Sequence, residues 1–200
     1  MMDRQILDNE LPATFKHVLN AALFKEVHND IMSKGWFMNN SSYHDSPVKF
    51  WTQNENNRPV LETASNIVKK KIENYLKVKL NHIRTHLNGQ TFGQNGQMHT
   101  DYVLPGFYTF LLFCNLDWDL IWGGETCVIT PKKEIKYFNV SPNDGVLFPS
   151  NWNHKGNGPT RETYRLRVTL AFSYCIDEHL HKVKNGTILP EFLEEQKKLD

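Results

Sequence analysis

The sequence predicts an α+β protein with a mainly β core, its helices gathered in the N-terminal part and at the tail. Two patterns predict it. Before residue 80, apolar residues recur at helical spacing, as in Phe15, Leu19, Leu23, Val27 and Ile31. From residue 82 the chain breaks into short apolar or alternating stretches divided by Gly, Pro and Asn turns, which argues for a sandwich or a barrel. A length of 200 residues suits one domain with a sizeable core.

Taken in order, residues 12–34 read as an amphipathic helix closed by Gly35. Residues 35–60 are turn-rich but carry Trp36, Phe37, Tyr43, Phe50 and Trp51. They fit short strands that feed aromatics to the core, or a loop lining a substrate mouth. A second helix is expected from Glu62 to Lys77, on the spacing of Ile67, Val68, Ile72, Tyr75 and Leu76. His82 to Phe92 reads as extended chain, with Asn88-Gly89 either a hairpin turn or a bend. Residues 93–96 turn the chain into a strand at Met98–Asp101. Phe107 to Asn115 is apolar on both faces, the mark of a central strand. Strands follow at 125–130, 135–140 and 146–148, with a turn at Pro142-Asn143-Asp144-Gly145. Residues 165–174 alternate most cleanly: Leu166, Val168, Leu170, Phe172 and Tyr174 on one face, Arg165, Arg167, Thr169, Ala171 and Ser173 on the other. A short charged helix, packed outside, is expected from Pro190.

Composition narrows the function. A net charge of +1 gives no global field toward nucleic acid or membrane, so neither is expected as a partner. Lys69-Lys70-Lys71 reads as a solvated helix face. The start shows no apolar leader, and the longest strongly apolar run, Phe110 to Cys114, is far too short to span a bilayer. Cys114, Cys127 and Cys175 sit in apolar or β-branched settings without zinc-type spacing, as expected of reduced thiols in a cytoplasmic protein.

The chemistry centres on His99-Thr100-Asp101. On a strand, residues i and i+2 share a face, so this tripeptide aims an imidazole and a carboxylate at one point. These are two ligands of a 2-His-1-carboxylate facial triad, the set used by non-haem Fe(II) oxygenases. Spacing alone is weak evidence: His28-Asn29-Asp30 has it too, but on a helix those side chains point nearly opposite ways and read as a solvated edge. His154 follows a buried strand 53 residues after Asp101, a gap that holds about four strands, enough to circle a barrel and return. A lone histidine is as a rule a packing or surface residue; the pair's need for a third ligand singles this one out. Arg165 and Arg167 are surface charges if their face is solvated. If it is the inside of a barrel, a guanidinium there needs an anion, and its planar fork suits a carboxylate. Thr169 shares that face. The glycines of Trp122-Gly123-Gly124-Glu125-Thr126 permit a tight turn or a close backbone approach.

Four motifs together, His99-x-Asp101, Trp122-Gly-Gly-Glu-Thr, Phe148-Pro-Ser-x-Trp-x-His154 and Arg165-x-x-Val-Thr, resemble the 2-oxoglutarate and Fe(II)-dependent dioxygenases, nearest the prolyl 4-hydroxylase-like branch. The similarity covers roughly residues 80–176. It implies a double-stranded β-helix, or jelly roll, at about 81–176, with N-terminal helical support at about 10–80 and a tail at 177–200, all one domain. It implies that His99, Asp101 and His154 hold the iron and that Arg165 binds the distal carboxylate of 2-oxoglutarate; Thr169, on the same strand face, would add a hydroxyl. O2 would be the oxidant, with ascorbate a candidate reductant. The expected reaction is hydroxylation of an unactivated C–H bond in a prolyl or other side chain of a peptide or protein, with a free amino acid or other small molecule as the alternative. Relatives that halogenate lack the carboxylate, so Asp101 favours hydroxylation. Two positions depart from the pattern. Gly89-Gln90-Thr91-Phe92 lacks the tyrosine that many relatives place before the first histidine, and Arg167 stands where a small residue is usual, either as a second charge or as the true anchor in a shifted register. A non-catalytic jelly-roll binding module and a structural β protein are the competing readings.

Overall fold

The structure is a computed structural model that describes residues 10–184 and 187–197. The first nine residues, which carry the expectation about a leader, lie outside the described residues. Among the described residues no helix is long and apolar enough to cross a membrane.

The predicted first helix is shorter than its periodicity suggests. The chain enters as a strand, β1 (Ala13–Phe15), and helix α1 spans Ala21–Met32. Asn20 caps it, its side-chain oxygen accepting the Leu23 N–H at 2.9 Å. Phe15 and Leu19 keep helical spacing without being helical. Phe15 packs edge-on to Phe110 and Tyr75, while the Leu19 backbone is held from both sides by the Asn143 side chain. Their periodicity is burial, reached by a strand and a turn instead. His28 and Asp30 do diverge on α1, but they are not merely solvated. His28 Nδ1 bonds the Cys114 carbonyl at 2.8 Å, and Asp30 pairs with the buried Arg58.

Helix α2 spans Pro59–Leu76. Proline at its first position needs no N–H donor there. Lys77, in the left-handed region at φ 57°, ends it. Leu61, Ala64, Val68, Ile72 and Leu76 line its buried stripe.

Twelve strands form among the described residues. Seven form one antiparallel sheet in the order β1-β8-β5-β10-β4-β3-β2, where β2 is Phe37–Asn40, β3 Phe50–Thr52, β4 Leu80–Gln90, β5 Phe107–Phe113, β8 Gly145–Pro149 and β10 Arg167–Ile176. A three-stranded sheet, β7-β6-β9, comprises Ile135–Phe138, Thr126–Ile129 and His154–Gly156. The outer face of the large sheet packs on the helices: Tyr174 on β10 donates to the Ser65 carbonyl of α2 at 2.9 Å. The inner face of β10 turns toward the small sheet. This is the predicted jelly roll, with the apolar β5 in the middle of the sheet and helices outside.

Two local expectations are corrected. Asn88-Gly89 lies within β4 rather than at a turn. A Cβ on Gly89 would come within 2.9 Å of the Trp36 ring and 3.0 Å of Leu166, so the glycine serves close packing. Met98–Asp101 is a single backbone bridge, His99 to His154, rather than a full strand. The tail forms β11 (Val183–Lys184), β12 (Thr187–Ile188) and helix α3 (Pro190–Lys197), and packs Ile188 and Phe192 around Tyr102, Leu104 and Phe107. All three cysteines are buried and free.

Candidate metal and acid-binding site

The bridge between His99 and His154 sets the site. Each residue's N–H donates to the other's carbonyl, at 3.1 and 2.9 Å, so the two imidazoles leave the backbone side by side with ring centres 4.4 Å apart. Asp101 is fixed through its own N–H, which donates to the Ser150 carbonyl at 3.0 Å. One ligand atom from each of His99, Asp101 and His154 lies within 4.8 Å of the others. The Nε2 atoms stand 3.8 and 3.7 Å from the Asp101 oxygens.

The surroundings choose the ionisation states a metal needs. His99 Nδ1 is 2.9 Å from the Gln97 carbonyl, and His154 Nδ1 is 3.0 Å from the Trp152 carbonyl. A carbonyl only accepts, so each Nδ1 carries a proton and each Nε2 is the atom turned toward Asp101. Burial pushes the His154 pKa below the ordinary imidazole value, against the pull of Asp101. Burial alone would raise the Asp101 carboxyl. His154, the Thr109 hydroxyl at 2.6 Å, His99 and Arg84 outweigh it and hold the pKa below the usual range. Two imidazoles presenting Nε2 and one carboxylate in this compact arrangement match the donor set of a divalent transition metal.

A cavity of about 250 Å³ opens beside the triad, between the two sheets. At its inner end Arg167 is 1% exposed. Its Nε donates to the Gly124 carbonyl, Nη1 to Gln90 Oε1 at 2.8 Å and Nη2 to Thr126 Oγ1 at 2.8 Å. Each Nη therefore keeps one N–H uncommitted, and among the described residues no carboxylate forms an ion pair with this guanidinium. Burial lowers its pKa to about 10, which leaves it charged at neutral pH. The glycine pair finds its reason here. Gly124, at φ +81°, could carry no side chain without strain, and a Cβ on it would press to 3.0 Å from Arg167 Cδ. Across the small sheet, a Cβ on Gly156 would lie 3.3 Å from Arg167 Nη1.

Of the residues singled out from the sequence, His99, Asp101, His154, Arg167 and Thr169 all line the cavity. Arg165 does not. Ordered pairing on β10 begins at Arg167, so the alternation no longer holds two residues earlier. The Arg165 side chain is 41% exposed, bonds Asp117 and lies over the Trp122 ring at 5.0 Å. The segment 35–60 does reach the cavity, through Asn40, Ser41, Ser42 and Phe50. The tail packs on the 102–107 segment instead.

Sequence reasoning missed the contribution of β4. Arg84, His86, Asn88 and Gln90 all face the cavity, paired across from Ser173, Ala171, Thr169 and Arg167. A polar residue at every second position from 84 to 90 was the available signal.

No family model matches the sequence, and no curated protein matches it. Solved structures do share its fold. A prolyl-4-hydroxylase from Pseudomonas putida aligns at a TM-score of 0.65 and 14% identity, over 86% of this chain and 97% of that one. A prolyl hydroxylase from Trichoplax adhaerens, solved with a peptide of the hypoxia inducible factor oxygen degradation domain, gives 0.66 and 13% over 90% and 92%. HygX from Streptomyces hygroscopicus, solved with nickel, 2-oxoglutarate and hygromycin B, gives 0.65 and 9% over 88% of each chain. At these identities the likeness is one of fold, and the fold is that of the 2-oxoglutarate and Fe(II) oxygenases.

Proposed function

We propose that this chain is a 2-oxoglutarate- and Fe(II)-dependent dioxygenase that hydroxylates an unactivated C–H bond of an amino-acid-derived substrate. The observation that carries the reading is the coexistence, in one cavity, of a compact His-Asp-His ligand set and a buried guanidinium with no carboxylate partner among the described residues. A structural β protein needs neither.

His99, Asp101 and His154 would hold the iron, and Arg167, with the Thr169 hydroxyl beside it, would take the distal carboxylate of 2-oxoglutarate. Bound there, the iron and cosubstrate supply oxidative decarboxylation to succinate and CO2, coupled to insertion of one oxygen atom into the substrate. The protein's own part is placement. The Nδ1–H bonds to the Gln97 and Trp152 carbonyls fix both rings, Thr109 fixes the Asp101 carboxylate, and Leu111 and Ala171 give the cavity apolar wall. Arg167 replaces Arg165 in this assignment, because only Arg167 reaches the cavity. Both a peptidyl side chain and a free small molecule fit the reaction class. The fold neighbours include proteins solved with a peptide and with hygromycin B.

The test is spectroscopic. Anaerobic addition of Fe(II) and 2-oxoglutarate should produce a weak visible charge-transfer band. Arg167→Ala should raise the 2-oxoglutarate concentration needed for it by roughly ten- to a hundred-fold, the value of a charged hydrogen bond. Arg165→Ala should leave that concentration unchanged. A wild-type chain with no band, or an Arg165 effect as large as that of Arg167, overturns the assignment.

A further inference from the structure

The cavity is bracketed by two guanidiniums, Arg167 and Arg84, and the cosubstrate occupies only the first. Arg84 lines the same space, exposed at its mouth, and among the described residues its side chain makes no hydrogen bond and no ion pair. Its register is informative. On β4, Gln90 stands across from Arg167 and Arg84 across from Ser173, six residues or about 20 Å further along the strand. Ser173 is also the partner of Thr109 on β5, and Thr109 holds Asp101. Arg84 therefore stands on the metal-ligand rung, two strands away or about 10 Å. With burial, it helps to push the His86 pKa down.

We propose that Arg84 is a specificity-determining residue of this site: it takes the carboxylate of a small organic acid, such as a free amino acid, whose reacting carbon lies at the metal. The inference rests on the oxygenase reading and names its substrate class. With Arg167 taken by the acid of the cosubstrate, Arg84 is left on the same cavity as the fork that can receive an anion supplied by the substrate. A carboxylate suits it better than a phosphate because no lysine lines the cavity and Arg167 is already committed. His86, two residues along β4, is neutral: its Nε2 accepts from the Asn40 amide at 2.5 Å and burial lowers its pKa to about 4. Asn40, Asn88 and Ser42 complete a polar rim fit for a small hydrophilic molecule. A residue in the middle of a peptide has no backbone carboxylate to offer there.

The test needs no turnover. The full chain is loaded with Zn(II), a redox-inert stand-in, and with saturating 2-oxoglutarate, so that Arg167 is occupied. Acetate, acetamide and methyl phosphate are then titrated, with binding read from the 15N resonances of the arginine Nε–H groups. Acetate should shift the Arg84 resonance and acetamide should not. Arg84→Gln should weaken acetate binding at least tenfold, and Arg84→Lys should restore part of it. Calorimetric affinity for 2-oxoglutarate should be the same in wild type and Arg84→Gln, which also reports a folded site. Acetate binding that is undetectable, unchanged in Arg84→Gln or matched by acetamide overturns the proposal, and tighter methyl phosphate overturns its choice of carboxylate. Failure of wild type to bind 2-oxoglutarate at all is a different result: it removes the oxygenase reading, and this inference with it.

Discussion

At the scale of single residues, the site depends on side chains that orient other side chains. Thr109 shows this most clearly. Its hydroxyl is 2.6 Å from Asp101 Oδ2 and 2.8 Å from Ser150 Oγ, so it can donate to the carboxylate while accepting from the serine. Thr109→Val removes the bond and keeps the shape. It should weaken Fe(II) binding by about ten- to a hundred-fold, the usual cost of losing a ligand's outer partner, as measured by competition with a chelating dye. His99→Ala and Asp101→Ala remove ligands outright and should abolish both high-affinity Fe(II) binding and succinate formation. Turnover that survived either change would refute the ligand assignment.

At the scale of elements, glycine positions decide how closely strands approach. Gly145 starts β8 against β5, and a Cβ there would lie 2.2 Å from the Phe110 ring. Gly145→Ala should destabilise the chain by about 1–3 kcal/mol, the range for overpacking a filled core, seen as a lower urea midpoint at unchanged slope. This scale also shows what the sequence could reveal. The alternation along β10, the doubly apolar β5 and the stripe of α2 were all legible because burial writes its period directly into residue order. The start of α1 was not, since Leu19 is buried and Phe15 half-buried at helical spacing while lying in a turn and a strand. The grouping of His99, Asp101 and His154 was legible through the four motifs that resemble the oxygenases, not through the His-x-Asp spacing alone. Arg165 was misplaced because alternation counts positions but does not say where pairing stops. The polar row on β4 was written in the sequence, and only the register across from β10 turned it toward the cavity.

At the scale of the whole molecule, stability should depend on pH through the buried polar lining as well as through the ligands. His86 is held at a pKa of about 4, against 6.5 when free, chiefly by burial and then by Arg84. Between those values the unfolded chain binds a proton that the folded chain refuses, so stability falls as pH drops from 6.5 to 4. His86→Gln should flatten that part of the metal-free stability profile, and an unchanged slope in thermal melts would contradict the burial argument. The same view explains the two outermost strands of the large sheet. β1 has three residues and β2 four, so the sheet ends in stubs rather than in long unpaired ladders. β1 covers the otherwise bare rim of β8 through Ala13, Thr14 and Phe15. A chain trimmed back to Val18 would present that rim as a docking strip for its own copies, and should self-associate in light scattering well before it loses its helices in circular dichroism.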